Sequence, residues 1–327
     1  MTGIPRLTPL RTLYCVLSPR SLPYAQHAFR SLFEHCLEPI DLTLITDDHS
    51  DRWEIAEAVE RVSPSAAGRW RVVGKREADE RAASMFARHP LIRAFRNGHP
   101  CWRKITDPLL FAAPDEEVIV LDPDLYFPNH FTFEPTPESG LALMWQGPSC
   151  LLPHEVVMAA YEASVPLAHH VDIGVAQWRN RVDLDWLERL LRILGGERLP
   201  RKMHVEAIVW AALAMRVGGG YLDARRWSCW RNAQWKRIAR KVGVPGRAIL
   251  RSEDFGAMKC FHGGGVAKWW VPDRVRAGDF APPRTLEKRS DLQPFVPLTQ
   301  HAYEATRRRK DAARRLGYYR LFAAEAA

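Results

Sequence analysis

The stretch Glu117-Val-Ile-Val-Leu-Asp122-Pro-Asp124-Leu-Tyr-Phe127 decides how the rest of the chain is interpreted. Its apolar run, 118 to 121, predicts a strand covered on both faces, as in the sheets of α/β proteins. Asp122 and Asp124 then face the same way at the carboxyl end of that strand, where open α/β sheets bind ligands. Two carboxylates in this position suit a divalent cation. The alternative is an ordinary turn, because Pro123 is a turn former.

A second motif lies far downstream, at Phe261-His262-Gly263-Gly264-Gly265-Val266-Ala267-Lys268-Trp269-Trp270. Histidine supplies a neutral nitrogen ligand, and glycines let the backbone approach a phosphate closely. Lysine supplies a compact positive charge. His262, Gly263, Gly265 and Lys268 therefore have the chemistry needed to hold a metal-bound diphosphate.

Together the two motifs resemble those of the GT-A fold glycosyltransferases, most closely glycosyltransferase family eight, the galactosyl- and glucosyltransferases related to glycogenin. The Asp-x-Asp pair follows a buried strand, and His262-x-x-Gly265-x-x-Lys268-x-Trp270 is similar to that family's His-x-x-Gly-x-x-Lys-Pro-Trp. Trp269 stands where the family has proline. The resemblance spans about residues 10 to 272, with only short motifs matching well.

The resemblance implies a metal-dependent enzyme that uses a nucleotide diphosphate sugar. Asp122, Asp124 and His262 would hold Mn²⁺ or Mg²⁺, which bridges the diphosphate, while Lys268 contacts the phosphates. It also implies retention of configuration at the anomeric carbon. The predicted reaction moves a hexose, UDP-linked in such enzymes, to a hydroxyl group of a glycan or lipid-linked acceptor.

The predicted fold class is α/β of GT-A type, a Rossmann-like mixed sheet with helices on both faces and a C-terminal helical extension. The hydrophobic pattern predicts a strand over 10–17, a helix over 21–36 and a second strand over 40–46, the start of a nucleotide-binding βαβ unit. The expected parts are a nucleotide-sugar-binding half (1–130), an acceptor and donor-sugar half (131–275) and a basic extension (276–327).

Four further residues are candidates for contact with the donor. Thr46 and Asp47 end the second predicted strand, where they could contact the base or ribose or serve ordinary turn chemistry. The segment 102–110 resembles the helix that precedes the metal strand in these enzymes and offers a basic side chain to the donor. Arg103 and Lys104 are the candidates for that role.

Asp172 and Glu206 are the candidate catalytic residues. The segment 169–175 resembles the family's Asn-Ser-Gly-Val segment beside the sugar, with Asp172 in the place of asparagine. The alternative is a strand-end turn in which Asp172 caps backbone amides. The adjacent His169 and His170 are expected to point to opposite faces and so not to share an ion.

Glu206 lies in a segment, 203–215, that is apolar nearly all round and therefore predicts a buried helix. An unpaired buried carboxylate would cost several kcal/mol, so Glu206 should have a partner or a functional role. The family carries an Asp-Gln pair near the head of the equivalent helix, beside the donor sugar. The alternative is a partly exposed position in the first helical turn, favoured by the helix dipole.

Composition restricts the class of protein. With 327 residues, 46% of them hydrophobic, the chain can bury a large core. Its six cysteines form no Cys-x-x-Cys pair, which disfavours a zinc ribbon or a disulfide framework and favours a reducing compartment. No apolar run approaches the length of a membrane span or a signal peptide, so the sequence predicts a cytoplasmic protein.

The formal net charge is +9, and the stretch 299–327 has seven basic residues against three acidic ones, a net of +4. Aromatic residues, including Tyr318 and Tyr319, lie among or after these cations. Such a segment can lie on an anionic membrane surface, here the inner face, which would suit a lipid-linked acceptor. The alternative is a solvated helix packed against the body.

Two other functions compete. A sugar nucleotidyltransferase would share the sheet and the metal, but the segment 18–23 after the first strand lacks its glycine- and basic-rich loop. A nucleic-acid-binding protein would explain the charge and the stretch with Trp227, Trp230 and Trp235. It would not explain either motif, so no nucleic-acid partner is expected.

Overall fold

The computed structural model describes residues 10–62, 69–147 and 151–322. In these residues, strands and α-helices alternate from 11 to 85. The strands are β1 (Arg11–Leu17), β2 (Ile40–Thr46), β3 (Trp70–Val73), β4 (Glu117–Leu121), β5 (Leu125–Tyr126), β6 (His130–Phe131), β7 (Leu141–Trp145), β8 (Val171–Arg179), β9 (Gly219–Tyr221), β10 (Trp227–Cys229), β11 (Cys260–His262), β12 (Thr285–Leu286) and β13 (Gln293–Pro294). The helices are α1 (Leu22–His35), α2 (Asp51–Val62), α3 (Lys75–Met85), α4 (Pro90–Arg96), α5 (Arg103–Phe111), α6 (His154–Glu162), α7 (Leu184–Leu194), α8 (Val205–Val217), α9 (Gln234–Lys241), α10 (Gly246–Ile249), α11 (Ala267–Arg276) and α12 (Gln300–Arg315).

The main element is an eight-stranded mixed sheet with the order β13-β9-β7-β8-β4-β1-β2-β3. The strands β3, β2, β1 and β4 are parallel to one another, and β8 is antiparallel to both β4 and β7. A three-stranded sheet, β10-β11-β5, and a two-stranded sheet, β12-β6, lie apart from it. The sheet is thus parallel in its first half and mixed in its second.

Side-chain alternation along β1 shows why helices cover both faces. Leu13, Cys15 and Leu17 pack in a buried cluster with residues of α1 and α2, whereas Tyr14 and Val16 belong to another cluster with residues of α3 to α8. Successive strand residues point to opposite faces, so an unbroken apolar strand needs a cover on each side. The predicted fold class, a mixed sheet with helices on both faces and a C-terminal helix, is confirmed.

The order of the strands creates a crevice at the carboxyl ends of β1 and β4. From β1 the chain proceeds to β2 and β3 on one side, and then returns to β4 on the other side of β1. Connections that leave in opposite directions open a gap above the sheet, which is where ligands bind in folds of this kind. Asp122 and Asp124, which follow β4, lie at this gap.

The predicted elements agree closely with the structure. The strand over 40–46 has the bounds of β2, and the helix over 21–36 is α1, one residue shorter at each end. The helix over 203–215 is α8, displaced by two residues. The eight-stranded sheet contains strands from all three parts of the expected division, which stays a prediction.

A buried ion pair anchors the start of β11. Lys259 Nζ lies 2.8 Å from Glu134 Oε1, and both side chains are fully buried. Glu134 also accepts hydrogen bonds from Trp227 Nε1 and from the backbone of Ser290. Because Lys259 directly precedes β11, this cluster fixes the strand that ends in His262.

The C-terminal part of the chain returns to the sheet before it forms a helix. The strand β13 pairs antiparallel with β9 at the sheet edge, and α12 follows it. Among the residues that the structure describes, no helix combines the length and the apolar character required to cross a bilayer. Cys150 and residues 323–327 of the basic extension lie outside the described residues.

Candidate active site

Asp122, Asp124 and His262 converge at the crevice. Strand β11 pairs antiparallel with β5, which follows Asp124 directly, so His262 lies opposite Leu125. His262 Nε2 is 3.2 Å from Asp124 Oδ1 and 3.6 Å from Asp122 Oδ2. The three side chains can each direct one ligand atom to a common point, with these atoms within 4.8 Å of one another.

The imidazole of His262 is oriented by Asp172. Its Nδ1 lies 2.8 Å from Asp172 Oδ1, which also accepts a hydrogen bond of 2.9 Å from the backbone amide of Gly174. A carboxylate on Nδ1 holds the proton there and turns Nε2 toward Asp122 and Asp124. Asp172 therefore caps a backbone amide, as one of the two interpretations of its segment predicted, and in addition positions His262.

A bulge in β8 turns Asp172 toward this histidine. Along β7 the partner on β8 changes from Ala176, opposite Leu143, to Asp172, opposite Met144, so residues 173–175 have no partner on β7. On the other side of β8, the carbonyl of Gly174 accepts a 2.8 Å hydrogen bond from the amide of Asp122. Bulges of this kind redirect side chains next to functional sites.

Gly174 is needed because the ring of His262 lies directly on its backbone. A Cβ atom at this position would lie 2.6 Å from His262 Nδ1 and 2.7 Å from its Cγ. Both distances are shorter than any ordinary van der Waals contact. The absence of a side chain at residue 174 is therefore part of the geometry that places His262.

Lys104 links Asp122 to Glu206. Its Nζ lies 2.8 Å from Asp122 Oδ1 and 2.7 Å from Glu206 Oε1, and all three side chains are largely or fully buried. Glu206 lies in the first turn of α8, as one alternative predicted, but its side chain is only 5% exposed, so it is buried as the other alternative predicted. Its second oxygen, Oε2, has no hydrogen-bond partner among the described residues.

Burial and charge shift the pKa values of these acids in different directions. Burial raises the pKa of Glu206 to about 8, although the ammonium of Lys104 opposes the shift. Burial and the neighbouring Asp124 also raise the pKa of Asp122, again against Lys104. For Asp124 and Asp172, burial is outweighed by the charge of His262 and by hydrogen bonds, so their pKa values are lowered.

The glycine loop leads from His262 into the amino terminus of α11. The amide of Gly263 donates to the carbonyl of Asp124 at 2.9 Å, and Gly265 has a positive φ of 68°. No side chain in the described part of the chain caps the first amides of α11. Lys268, in the first turn, places Nζ 3.9 Å from Asp124 Oδ2 and 4.9 Å from the ring centre of Tyr24. Free amides and a lysine beside the three candidate ligands form a surface suited to phosphate.

The other predicted donor contacts are engaged with each other or with nearby backbone. Arg103 Nη1 lies 3.2 Å from Asp47 Oδ1, and burial raises the pKa of Asp47. Thr46 is fully buried, and its hydroxyl lies 3.1 Å from Asp51 Oδ2 at the start of α2. Thr46 thus makes a turn contact of the kind that was its alternative, and contact of Thr46, Asp47, Arg103 or Lys104 with a donor stays a prediction.

The expected opposite orientation of His169 and His170 is wrong. Their rings stack with centroids 3.6 Å apart. Both residues precede β8, and His170 has a positive φ of 59°, so the alternation of a strand does not apply to them. In the described ranges, neither ring belongs to a cluster of three metal-ligating side chains.

Sequence reasoning missed three residues of the site. Gly174 was not among the predicted site residues, although it holds the glycine position of the segment that resembles Asn-Ser-Gly-Val. Cys229 ends β10 and lies 3.3 Å from Asp172 Oδ2, where burial raises its pKa to about 12 and leaves a protonated thiol. Tyr24 comes from α1 and contacts Lys268 and, edge-on, Trp269. These contacts depend on strand and helix pairings that the local sequence does not contain.

The donor set suits a hard or intermediate divalent cation. Two carboxylate oxygens and one imidazole nitrogen are ligands that Mn²⁺ and Mg²⁺ accept, and a zinc site with thiolate ligands would need Cys229 deprotonated. That thiol faces Asp172, away from the Asp122 and Asp124 oxygens, and belongs to a separate grouping with Asp172 and His262. The residues present therefore fit Mn²⁺ or Mg²⁺ at Asp122, Asp124 and His262.

No family model matches the chain, and no curated protein matches it in sequence. Among solved structures, it is similar to mouse xyloside xylosyltransferase 1, with 13% identity over 79% of this chain and 99% of that one and a TM-score of 0.49. It is also similar to the galactosyltransferase LgtC in complex with donor and acceptor sugar analogues (12%, 83% and 96%, TM-score 0.43). A third is the glycosyltransferase GlyE of Streptococcus pneumoniae TIGR4 (12%, 84% and 64%, TM-score 0.43). Similarities this weak decide neither the activity nor the substrate.

Replacing Gly174 by alanine should weaken metal binding without unfolding the protein. The new Cβ would collide with His262 and separate it from Asp172, and loss of such a supporting contact typically lowers metal affinity about 10- to 100-fold. Titration of Mn²⁺ into both proteins measures the change. The matched control is Gly256→Ala, whose Cβ would meet nothing closer than 3.6 Å. Equal Mn²⁺ affinity of Gly174→Ala and the unaltered protein would contradict this role.

Metal affinity should also fall as the pH falls. Burial alone would lower the pKa of His262, but Asp172 and Asp124 raise it well above its ordinary value. A metal needs Nε2 unprotonated, so below that raised pKa the proton competes and the apparent affinity drops about tenfold per pH unit. Calorimetric titration of Mn²⁺ between about pH 6 and pH 8 measures the slope. His262→Gln should bind more weakly with a flatter profile, and a pH-independent affinity of the unaltered protein would refute the assignment.

Proposed function

We propose that this protein is a metal-dependent glycosyltransferase that transfers a hexose from a nucleotide diphosphate sugar, most simply a UDP-sugar, to a hydroxyl group of a glycan or lipid-linked acceptor. One observation carries the proposal. Asp122, Asp124 and His262 meet at the switch point of the sheet, directly beside a glycine loop that leads into the free amino terminus of α11. A cation site next to a phosphate-binding surface is what a metal-bound diphosphate requires.

On the phosphate side, the chain offers amides and one lysine. The amides of Gly264 and Gly265 and those at the start of α11 can donate N–H groups to phosphate oxygens, helped by the positive end of the helix dipole. Lys268 adds a charge whose ion pair with Asp124 is long, at 3.9 Å, and can be exchanged for a phosphate. These groups stabilise the negative charge of a leaving diphosphate.

On the metal side, Mn²⁺ or Mg²⁺ held by Asp122, Asp124 and His262 would neutralise charge on the leaving diphosphate. Asp172 keeps the proton of His262 on Nδ1 and leaves Nε2 free as a ligand. Lys104 balances the charge of Asp122. We therefore propose that Asp172, expected to be catalytic, acts as a positioning residue.

Glu206 is the better candidate for contact with the donor sugar. It shares Lys104 with Asp122 and has an unpartnered, buried Oε2. Burial raises its pKa to about 8, which favours the protonated form more than in an ordinary glutamate. A protonated Glu206 can donate a hydrogen bond to a sugar oxygen and accept one from a hydroxyl. Donor contacts by Asp47 and Arg103 form part of the same proposal.

The competing functions have less support. The segment 18–23 contains no glycine and turns directly into α1, which begins with proline in its first turn. It therefore offers no loop to hold a nucleoside triphosphate. Trp227 is fully buried and Trp230 nearly so, which leaves Trp235 as the exposed member of that tryptophan stretch. Buried rings cannot stack on nucleic-acid bases.

The first test is a thermal-shift measurement with nucleotides and metals. UDP together with Mn²⁺ should raise the melting temperature more than either alone, because the diphosphate binds through the metal. Asp124→Asn should abolish the joint effect, whereas metal-independent UDP binding would count against the site. Slow hydrolysis of a UDP-sugar that requires Mn²⁺ would then identify the donor, and GDP-sugars serve as the comparison.

Lys268→Ala should weaken UDP binding in the presence of Mn²⁺ about tenfold and leave the melting temperature of the free protein nearly unchanged. The lysine would lose a charge-assisted contact to phosphate, whereas its long ion pair with Asp124 contributes little to stability. Calorimetry of UDP binding measures the first effect. Arg276→Ala, at the other end of α11 and paired with Asp273, is the control. If both variants bind UDP equally well, Lys268 is a surface charge and not a phosphate contact.

A further inference from the structure

The segment 225–252, which contains β10 and precedes β11, has an unusual charge. It contains nine lysine and arginine residues and not one aspartate or glutamate, so its formal charge equals the +9 of the whole chain. The segment includes α9 and α10, and the candidate active site uses none of its basic residues. A surface with one sign of charge attracts a partner of the opposite sign.

Helix α9 buries a lysine and exposes apolar residues. Lys236 is 6% exposed and is paired with Glu253. In contrast, Trp235 is 51% exposed, Ile238 48% and Val242, just after the helix, 72%. Residues spaced three and four apart share one face of a helix, so these three form a continuous apolar stripe that points outward. A stripe of this kind, on a helix whose inner face holds a paired lysine, indicates an external partner.

Cations border the stripe. Arg237 and Lys241 lie four residues apart along its edge, and Lys241 has no ion pair within the described ranges. We call Trp235, Ile238 and Val242 together with Arg237 and Lys241 the α9 surface. The turn 318–322 lies against α9, where Tyr319 is 38% and Leu321 62% exposed. The C-terminal segment thus extends the same apolar and basic surface.

The C-terminal helix alone is a weaker membrane candidate than the sequence predicted. Several cations of α12 face its own acids: Arg307 and Arg314 lie near Asp311, and Arg308 lies near Glu304. Helix α9 contains no acid, and among the described residues only its buried Lys236 has an ion pair, with Glu253. The larger group of cations without acidic partners therefore lies in the segment 225–252 and not in the C-terminal helix.

The α9 surface lies close to the candidate active site. Lys236 Nζ is 4.0 Å above the ring of Trp230, and the Arg240 guanidinium is 5.9 Å from that of Trp270. The amide of Trp230 donates to the carbonyl of His262 at 2.9 Å, and Trp270 belongs to α11, which begins at the glycine loop. One layer of tryptophan side chains thus separates α9 from the His262 loop.

We propose that the α9 surface docks on an anionic lipid bilayer, with Trp235, Ile238 and Val242 in the headgroup region and Arg237 and Lys241 against lipid phosphates. Interfacial helices combine an apolar stripe containing tryptophan with flanking cations in this way. A second copy of the chain would bring two strongly basic surfaces together. A polyanion such as nucleic acid would satisfy the cations but not the exposed aliphatic side chains. Only the corollary, that docking brings the site to a lipid-linked acceptor, rests on the proposed function.

Co-sedimentation of the full chain with vesicles tests the proposal. The protein should bind phosphatidylcholine vesicles that contain phosphatidylglycerol, bind pure phosphatidylcholine weakly, and dissociate at high salt. Arg237→Gln combined with Lys241→Gln should lower the partition coefficient about 30-fold. The control, Arg189→Gln with Arg192→Gln, removes the same charge from exposed positions of α7, and should lower binding far less. If both double variants lose vesicle binding equally, the binding depends only on the net charge of the protein, and the proposal is overturned.

Two tryptophan variants test the contribution of the apolar stripe of α9 to vesicle binding. Trp235→Ala should reduce vesicle binding and the quenching of protein fluorescence by brominated lipids, whereas Trp53→Ala, which removes an 80% exposed tryptophan of α2, should change neither. Equal behaviour of the two variants would overturn the proposal. The proposal would also be overturned if the protein does not bind vesicles but binds an oligonucleotide through Arg237 and Lys241. The melting shift with UDP and Mn²⁺ should persist in every variant, so failure of docking and failure of the proposed activity are distinguishable.

Discussion

The structure depends on holding four carboxyl groups, those of Asp122, Asp124, Asp172 and Glu206, in one buried place. Like charges at such distances repel, and burial penalises each charge further. Buried cations meet this cost: Lys104 lies between Asp122 and Glu206, and His262 lies between Asp124 and Asp172. Removing Lys104 would take the ion-pair partner from Glu206, and removing His262 would take it from Asp172, so both cations stabilise the buried acids. The same excess of carboxylate oxygens is what makes the place attractive to a divalent cation.

This charge arrangement explains why distant parts of the chain must fold together. Asp122 comes from the parallel half of the sheet, Asp172 from a bulge in the antiparallel half, and His262 from a separate small sheet. The buried pair of Lys259 with Glu134 fixes the start of β11, and the pairing of β11 with β5 fixes its end. The site can therefore form only after the second half of the chain has packed against the first. Local stability of one βαβ unit is not enough to create it.

The parts of the fold and of the candidate site that depend on local sequence were predictable. Four apolar residues before Asp122 predicted β4 and its two covered faces, and the spacing of His262, Gly265 and Lys268 predicted the loop that leads into α11. The bulge in β8 and the need for glycine at 174 were not predictable, because both follow from which strand lies beside which. The same holds for Lys104, whose sequence indicated a basic helix position but not that two acids would flank it. For Asp172 the sequence left two interpretations open, and the structure shows the capping contact together with a histidine that no local pattern could supply.

The tryptophans between α9 and the His262 loop suggest why a helix with an outward apolar stripe is compatible with a stable fold. Trp230 and Trp270 meet edge to face at 5.5 Å, and Lys236 and Arg240 lie over their rings. Cation–π contacts and the pair with Glu253 thus fix the inner face of α9 by charged groups, which leaves its apolar residues free for the outside. The same two tryptophans touch the segments that carry His262 and Lys268. A partner bound to the outer face of α9 would therefore be separated by one layer of side chains from the groups that would hold a diphosphate. Its binding could affect those groups without any motion of the main sheet.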